Sequence, residues 1–345
     1  MTPTRHTFHW RPGDPGGDMQ LSRPLAELCR PLLEDRVSSA QEIVRDASAI
    51  LSRWLGALPG GESPNLGALL STELDPLQAV HGWRGPVALW LHTIDRAVGR
   101  MRSYKSPLRE VLIEEMGLWL GGIDQLPAHG PEGPMRWTGE PLAPGIRLPD
   151  PRACAAELLP LVQRGETILI PGFSETVACA IEALVEADLE PTLVLGEGGP
   201  NLGGREMARR LERTGVSMRL VYDVALQREV VRADRVWMGT EAVGAGEMIA
   251  GLGTAFLMDR ARRQQVPIHV LCTSDKLVPF ADLRLPAWGE TETYLLWDSP
   301  TEGLQVDSQY FERVAVTSDV RFATEEGLCS PGELALLALQ TENTD

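Results

Sequence analysis

Positive charge is scarce in this sequence: 32 lysines and arginines face 48 aspartates and glutamates, a formal net charge of −16 at pH 7. An extended footprint on a phosphate backbone needs clustered basic residues, so no direct nucleic-acid partner is expected. The acidity fits a salt-adapted host or general solubility equally, and composition does not separate the two. Cysteine is sparse as well. The five residues Cys29, Cys154, Cys179, Cys272 and Cys329 are odd in number, far apart and never in a CxxC spacing. That argues against a disulfide framework or a zinc site and fits a reducing compartment. The six histidines, His6, His9, His81, His92, His129 and His269, form no HExxH or comparable ligand pair, so no metal is expected. Long apolar runs are missing too: none approaches transmembrane length, and the N-terminal MTPTRHTFHWRPGDPGGDMQ lacks the continuous apolar core of a signal peptide. The expectation is a cytoplasmic protein with no membrane partner.

What is present suits a two-domain globular chain: 345 residues, 43% of them hydrophobic. Residues 1–20, rich in Pro, Gly and Thr, read as a flexible tail. Residues 21–120 read as an all-α N-terminal domain carrying LAELCRPLLEDRV, SSAQEIVRDASAILSRWLGAL, VALWLHTIDRAVGRM and SPLREVLIEEMGLWLGGI, with PGGESPN as an interruption. In the second of these Ile43, Ala47, Ile50, Leu51 and Trp54 recur at spacings of three and four. Ser38 or Ser39 is placed to cap that helix, with Glu42 three residues beyond Ser39 as in a capping box. Residues 121–150 are rich in Pro and Gly without apolar periodicity and read as a connector.

From 151 to 345 the alternation changes. TILIPG, PTLVLGE, SMRLVYD, RVWMG and IHVLCTS are short apolar runs, separated by helical patterns such as SETVACAIEALVEA, GREMARRLERTG and TAFLMDRARRQQ. Parallel neighbours need a crossover helix, so this order predicts an α/β domain built on a doubly wound parallel sheet. The tail from YFERVAV to LALLALQ reads as a strand-like run and a final helix. Ligands of such sheets bind beyond the carboxyl ends of the strands, and four of those ends carry Gly172, Glu197, Asp223 and Glu241.

Three glycine-bearing segments compete as sites. MGTEAVGAGEMIAGLGTAF, residues 238–256, has Gly244 and Gly246 but no third glycine at the dinucleotide spacing, since the next are Gly251 and Gly253. Asp275 ends the next strand, where a ribose-binding acid would sit. The motif is nevertheless broken and late among the strands, so a structural loop is favoured over a nicotinamide site and no cofactor is expected. In IPGFSETVACAI, residues 170–181, Gly172 ends a strand and Ser174 is placed as an N-cap. Its following amides suit a phosphate, and a plain helix cap accounts for Ser174 equally well. Neither Cys nor His precedes this helix to serve as nucleophile or base, and Cys179 lies among apolar residues inside it. In LGEGGPNLGGREMARRL, residues 195–211, Glu197 is followed by Gly198, Gly199, Pro200, Gly203 and Gly204, a loop pressed against a ligand or a neighbouring backbone. Arg205, Arg209 and Arg210 are helix-surface charges or anion contacts.

The order ILIPGFSETV, GEGGPNLGGREMARRLERTGV, LVYDVALQREVVRADRVWMGTEAVGAG and GLGTAFLMDRARRQQVPIHVLCTSDK resembles a known family. It unites the alpha, beta and delta regulatory subunits of translation initiation factor 2B with methylthioribose-1-phosphate isomerase and ribose-1,5-bisphosphate isomerase. DRVSSAQEIVRDASAIL and WRGPVALWLHTIDRAV look like its helical domain, and YFERVAVTSDVRFATEEG like its C-terminal signature, so the likeness runs from Leu21 to Leu339. It implies a helical N-terminal domain before a Rossmann-like sheet, a homodimer formed through that sheet domain, and a sugar-phosphate pocket.

Position by position, the isomerases' parts are largely replaced. Their strand-end cysteine falls at Gly172 or Phe173, and the aspartate of their Gly-Ala-Asp motif at Glu241. Their Asn-Lys pair before Gly-Thr is Ala250-Gly251, ahead of Leu252-Gly253-Thr254. Glu241 keeps a carboxylate one methylene longer, a displacement of about 1 Å that is serious for catalysis. Arg84 matches an arginine the isomerases use near the phosphate, although Arg-Pro-Thr has become Arg84-Gly85-Pro86. Glu197, Pro200 and Gly204 match Glu-x-Arg-Pro-x-x-x-Gly with its arginine replaced by Gly199. Asp223 matches the family's strand-end aspartate and Lys276 its late lysine, each as consistent with a strand-end hydrogen bond or ion pair as with ligand contact.

The expectation is thus a non-catalytic, initiation-factor-2B-like homodimer that binds a phosphorylated sugar or nucleotide, or regulates a protein partner. Arg84, Gly172, Ser174, Glu197, Gly204, Asp223 and Lys276 are its expected ligand residues. The alternative is an aldose–ketose isomerase of a phosphorylated pentose, with Glu241 as acid/base and a serine or water in place of the cysteine.

Overall fold

The structure, a computed structural model, describes residues 24–35, 38–58, 65–101, 108–119, 149–244, 246–278, 283–285, 293 and 296–336. The expected tail over 1–20 and all but the last two residues of the expected connector lie outside the described residues. The chain divides into two compact units, one comprising residues 1–82 and 86–148 and the other 83–85 and 149–345.

The first unit is helical: α1 (Leu25–Leu28), α2 (Arg30–Glu34), α3 (Ala40–Ala57), α4 (Leu66–His81), α5 (Gly85–Met101) and α6 (Leu108–Trp119). Both halves of the α3 capping box form. The Glu42 amide donates to Ser39 Oγ at 3.2 Å, and the Glu42 carboxylate accepts from the Ser39 amide at 2.8 Å. Ile43, Ala47, Leu51 and Trp54 are buried on one stripe, with Ile50 packed at its edge. Two polar contacts fix the core: the Trp90 indole donates to Ser48 Oγ at 2.9 Å, and a His81 ring nitrogen lies 2.7 Å from the Leu32 carbonyl oxygen. Helix α4 falls inside the expected all-α domain, in a stretch for which the sequence reading names no separate helix, and it contains Pro76. Leu66, Leu70, Leu74, Leu77 and His81 form a buried stripe that outweighs the hydrogen bond Pro76 removes. No described helix is long and apolar enough to cross a membrane.

The second unit runs β1 (Thr167–Ile170), α7 (Glu175–Glu186), β2 (Thr192–Gly196), α8 (Gly203–Leu211), β3 (Ser217–Val221), α9 (Asp223–Glu229), β4 (Arg235–Gly239), β5 (Ala242–Val243), β6 (Glu247–Gly251), α10 (Thr254–Arg263), β7 (Ile268–Leu271), β8 (Phe311–Ala315), β9 (Val320–Thr324) and β10 (Gly327–Cys329). Seven strands form a sheet in the order β10-β9-β7-β4-β1-β2-β3, parallel throughout except for β10 against β9. The strands alternate faces. Ile168 and Ile170 pack with α7 and α8, whereas Leu169, Val194 and Val236 pack with α9 and α10. Helices on both faces make this the doubly wound α/β arrangement that the sequence predicts.

Two details differ from the sequence expectation. The glycine-rich stretch after β4 is a hairpin rather than a plain loop: Ala242 and Val243 pair antiparallel with Ile249 and Met248, with Gly246 at φ +86° in the turn. The strand within YFERVAV leaves the main sheet and pairs with β6, giving a separate sheet β5-β6-β8. β9 and β10 then complete the main sheet, ahead of a helical segment at 331–336. Runs of two to five residues set among glycines are too brief to signal a strand by periodicity.

Candidate functional site

The strand order reverses at β1: β2 and β3 follow on one side, β4, β7 and β9 on the other. In an open parallel sheet the crevice lies outside the carboxyl ends at such a reversal, here over β1 and β4. Every sequence-predicted residue except Arg84 lies on a segment following one of these ends. In sheet order these are Lys276 after β7, Glu241 after β4, Gly172 and Ser174 after β1, Glu197 and Gly204 around the β2–α8 loop, and Asp223 after β3. Arg84 joins them from far away in sequence.

The closest meeting is between Arg84 and Glu241. Arg84 Nε donates to Glu241 Oε2 at 2.9 Å, with the two side chains 11% and 24% exposed. The backbone fixes both partners: the Glu241 amide donates to the Ile249 carbonyl at 2.9 Å, and the Glu241 carbonyl accepts from the Gly85 amide at 2.8 Å. Trp83 packs against Phe311 of β8 in a tilted pair, ring centroids 4.7 Å apart and ring planes at 54°, and the Arg84 guanidinium lies 5.7 Å from the Trp83 ring centroid. Gly85 presses on the turn that carries Lys276. A Cβ there would stand 2.6 Å from the Lys276 Cα and 2.8 Å from its carbonyl oxygen. That turn is pinned in its own right, since the Glu325 carboxylate accepts from the Ser274 amide at 3.0 Å and from its hydroxyl.

At the other end, Asp223 holds the β2–α8 loop. Its Oδ1 accepts from the Gly198 amide at 2.9 Å and its Oδ2 from the Gly199 amide at 2.8 Å. Consecutive amides turned to one side form an anion-binding concavity, and here the protein's own carboxylate occupies it. Gly204 is demanded by packing: a Cβ would overlap the Gly196 carbonyl oxygen, and the Gly204 amide donates to the Glu197 carbonyl at 3.0 Å. The Glu197 side chain, 4.0 Å from Arg205, is free of any such lock. Ser174 caps α7 by accepting from the Val177 amide at 3.4 Å and lies against Gly239, while Gly172 has open space where a Cβ would point.

All five cysteines are buried and unpaired. Cys179 is inside α7, its thiol pushed up to about 12 mainly by burial and also by the charge of Glu175. Of the three arginines considered at the loop, Arg210 is committed to Glu175 and Glu182, and Arg209 is an i,i+3 partner of Glu206. The site therefore offers carboxylates, amides and the cations Arg84 and Lys276, while Cys272, the thiol that follows β7, is fully buried.

Residues 152–286, which hold the site residues described above except Trp83, Arg84, Gly85, Phe311 and Glu325, match the Initiation factor 2 subunit family, IF-2B. The match covers this central segment of the α/β unit. A ribose 1,5-bisphosphate isomerase of Haloferax volcanii is 34% identical over 116 residues, covering 33% of this chain and 36% of the relative. Translation initiation factor eIF2B subunit beta of Dictyostelium discoideum is 32% identical over 163 residues, covering 46% of this chain and 40% of the relative. The matches thus span well under half of those relatives' length. Among solved structures, translation initiation factor eIF-2B from Pyrococcus horikoshii OT3 aligns with a TM-score of 0.67 at 16% identity, over 90% of this chain and 98% of that one. A chain of the tetrameric eIF2B-beta2-delta2 complex from C. thermophilum aligns at 0.61 and 15% identity, over 94% and 96%. These likenesses carry the fold. The sequence matches thus include both an isomerase and an initiation-factor subunit, and the fold matches are to initiation-factor structures.

Sequence reasoning passed over Gly85, Trp83, Phe311 and Glu325, which set the geometry around Arg84 and Lys276. The triplet Trp83-Arg84-Gly85 carried a signal in its glycine, which marks a close backbone approach. Phe311 and Glu325 carried none.

Proposed function

We propose that this chain is a non-catalytic member of its family that binds a phosphorylated sugar or nucleotide at the carboxyl edge of its sheet and acts on a protein partner. The observation that carries the reading is the Arg84–Glu241 pair. The Glu241 carboxylate, placed to move a proton, is paired with the cation placed to take a phosphate, and the thiol that follows β7, Cys272, is fully buried, its titration pushed up by that burial. A thermal-shift panel of phosphorylated sugars and nucleotides, followed by a product assay on each hit, tests it: stabilisation without turnover is expected.

An isomerase of phosphorylated pentoses is the second reading. The 34% identity to a ribose 1,5-bisphosphate isomerase favours it. Turnover of ribose 1,5-bisphosphate that disappears in Glu241→Gln would establish that reading in place of the first.

The working form in this proposal is a homodimer through the α/β unit. Tyr222 (72% exposed) and Val224 (83%) at the start of α9, with Leu252 (63%) and Phe256 (67%) at the start of α10, leave large apolar side chains in water. The two helices are adjacent, as the Arg260 Nε bond to the Gln227 carbonyl at 3.4 Å shows. A neighbour in fold comes from a tetrameric complex, which supports assigning this patch to a second copy.

A further inference from the structure

We infer that Glu241 is a built-in competitor for anionic ligands at Arg84, and so the residue that selects among the ligands of this edge. The inference rests on the reading above that the edge takes phosphorylated ligands. With Arg84 and Glu241 only 11% and 24% exposed, their attraction is weakly screened by water. The Glu241 backbone is held at both amide and carbonyl, so the reach of its side chain is set by its length. An aspartate on the same Cα ends one methylene short and loses the 2.9 Å contact to Arg84 Nε. Glutamate at this position therefore occupies the Nε edge of the arginine.

A phosphate reaching Arg84 has two routes. It expels the carboxylate, or it binds beside it and meets a like charge within a few ångströms. Bare anions are penalised on either route. A ligand that brings a hydroxyl donor with its phosphate hydrogen-bonds Glu241 while its anion reaches Arg84, and escapes part of the penalty. The same logic fills the second anion-binding feature of the edge, where Asp223 occupies the Gly198 and Gly199 amides. The edge thus favours phosphate monoesters with neighbouring hydroxyls over inorganic phosphate.

Titration calorimetry with inorganic phosphate and with ribose 5-phosphate, on the full chain and on Glu241→Gln, Glu241→Asp and Glu241→Gln/Arg84→Gln, tests the inference. Removing a unit charge at this range is expected to tighten inorganic phosphate by about ten-fold or more in Glu241→Gln. Glu241→Asp, which keeps the charge but loses the reach, tightens it by a smaller factor, and the double variant loses the gain. Ribose 5-phosphate gains less than inorganic phosphate, because it also loses an acceptor. Circular dichroism establishes that each variant is folded. If the wild type binds ribose 5-phosphate and Glu241→Gln binds phosphate no more tightly than the wild type, the inference is overturned while the phosphate-binding reading stands. If neither protein binds either anion, both fail together.

Discussion

Asp223 reaches back across the sheet edge to Gly199, its Oδ2 accepting that amide at 2.8 Å while its Oδ1 takes the amide of Gly198 at 2.9 Å. One carboxylate on β3's far side therefore sets the course of the loop leaving β2. Asp223→Ala removes two charge-assisted acceptors and is expected to lower stability by about 2 kcal/mol, whereas Asp223→Asn keeps one acceptor and loses roughly half of that. Urea unfolding measures the difference, and hydrogen exchange across residues 198–204 should accelerate in the alanine variant. An unchanged exchange pattern would remove the loop-holding role.

Two glycines of the edge make opposite predictions. A methyl group on Gly204 overlaps the Gly196 carbonyl oxygen, so Gly204→Ala must push α8 away from β2 and is expected to cost about 3 kcal/mol or more. A methyl group on Gly172 meets nothing within 4 Å, and Gly172→Ala should stay within about 0.5 kcal/mol of the wild type. Thermal denaturation of the pair distinguishes a packing glycine from a permissive one. Equal losses in both would contradict the assignment.

His269 on β7 supplies a pH dependence. Burial above all, with the charges of Arg235 and Arg321, holds its imidazole down to about 4 against the ordinary 6.5, with Glu166 opposing. Between those values the unfolded chain binds the proton and the folded chain does not, so stability falls as pH drops from 6.5 towards 4 and is fully present above 6.5. The slope from one such group is at most about 1.4 kcal/mol per pH unit. Melting temperatures of the wild type and His269→Gln across pH 4–8 should show a shallower acid decline in the variant. A decline equally steep in both excludes His269 as its source.

The proposed homodimer turns on the apolar residues at the starts of α9 and α10. Val224→Asp combined with Phe256→Asp places two charges in that patch, on side chains the fold leaves in water, so the subunit itself should fold normally. Light scattering after gel filtration is expected to move from a dimer mass to a monomer mass. A dimer that survives both substitutions lies on another surface.

The fold was legible in the sequence where periodicity was sustained. The apolar runs of β1 to β4 and β7, the helices α7, α8 and α10, and the Ser39–Glu42 box all fall where the pattern places them. Local signals failed where tertiary pairing decides the outcome. The hairpin β5–β6 exists because β8, some sixty residues later, pairs with β6, and no nearby residue announces that partner. Helix α4 continues through Pro76 because propensity weighs the single residue, whereas burial weighs the whole leucine stripe. At the site, the strand-end positions of Glu197, Asp223 and Glu241 followed from the strand pattern alone. Their commitments did not, since nothing in the sequence across the separation of 157 positions from Arg84 to Glu241 announces their meeting.

Binding without turnover is the central claim, and one measurement addresses it most directly: phosphorus NMR of ribose 1,5-bisphosphate incubated with the full chain at a concentration that saturates its thermal shift. The account predicts a stabilised protein and a substrate spectrum unchanged over hours. A protein-dependent conversion to the ketose product, abolished by Glu241→Gln, would contradict it.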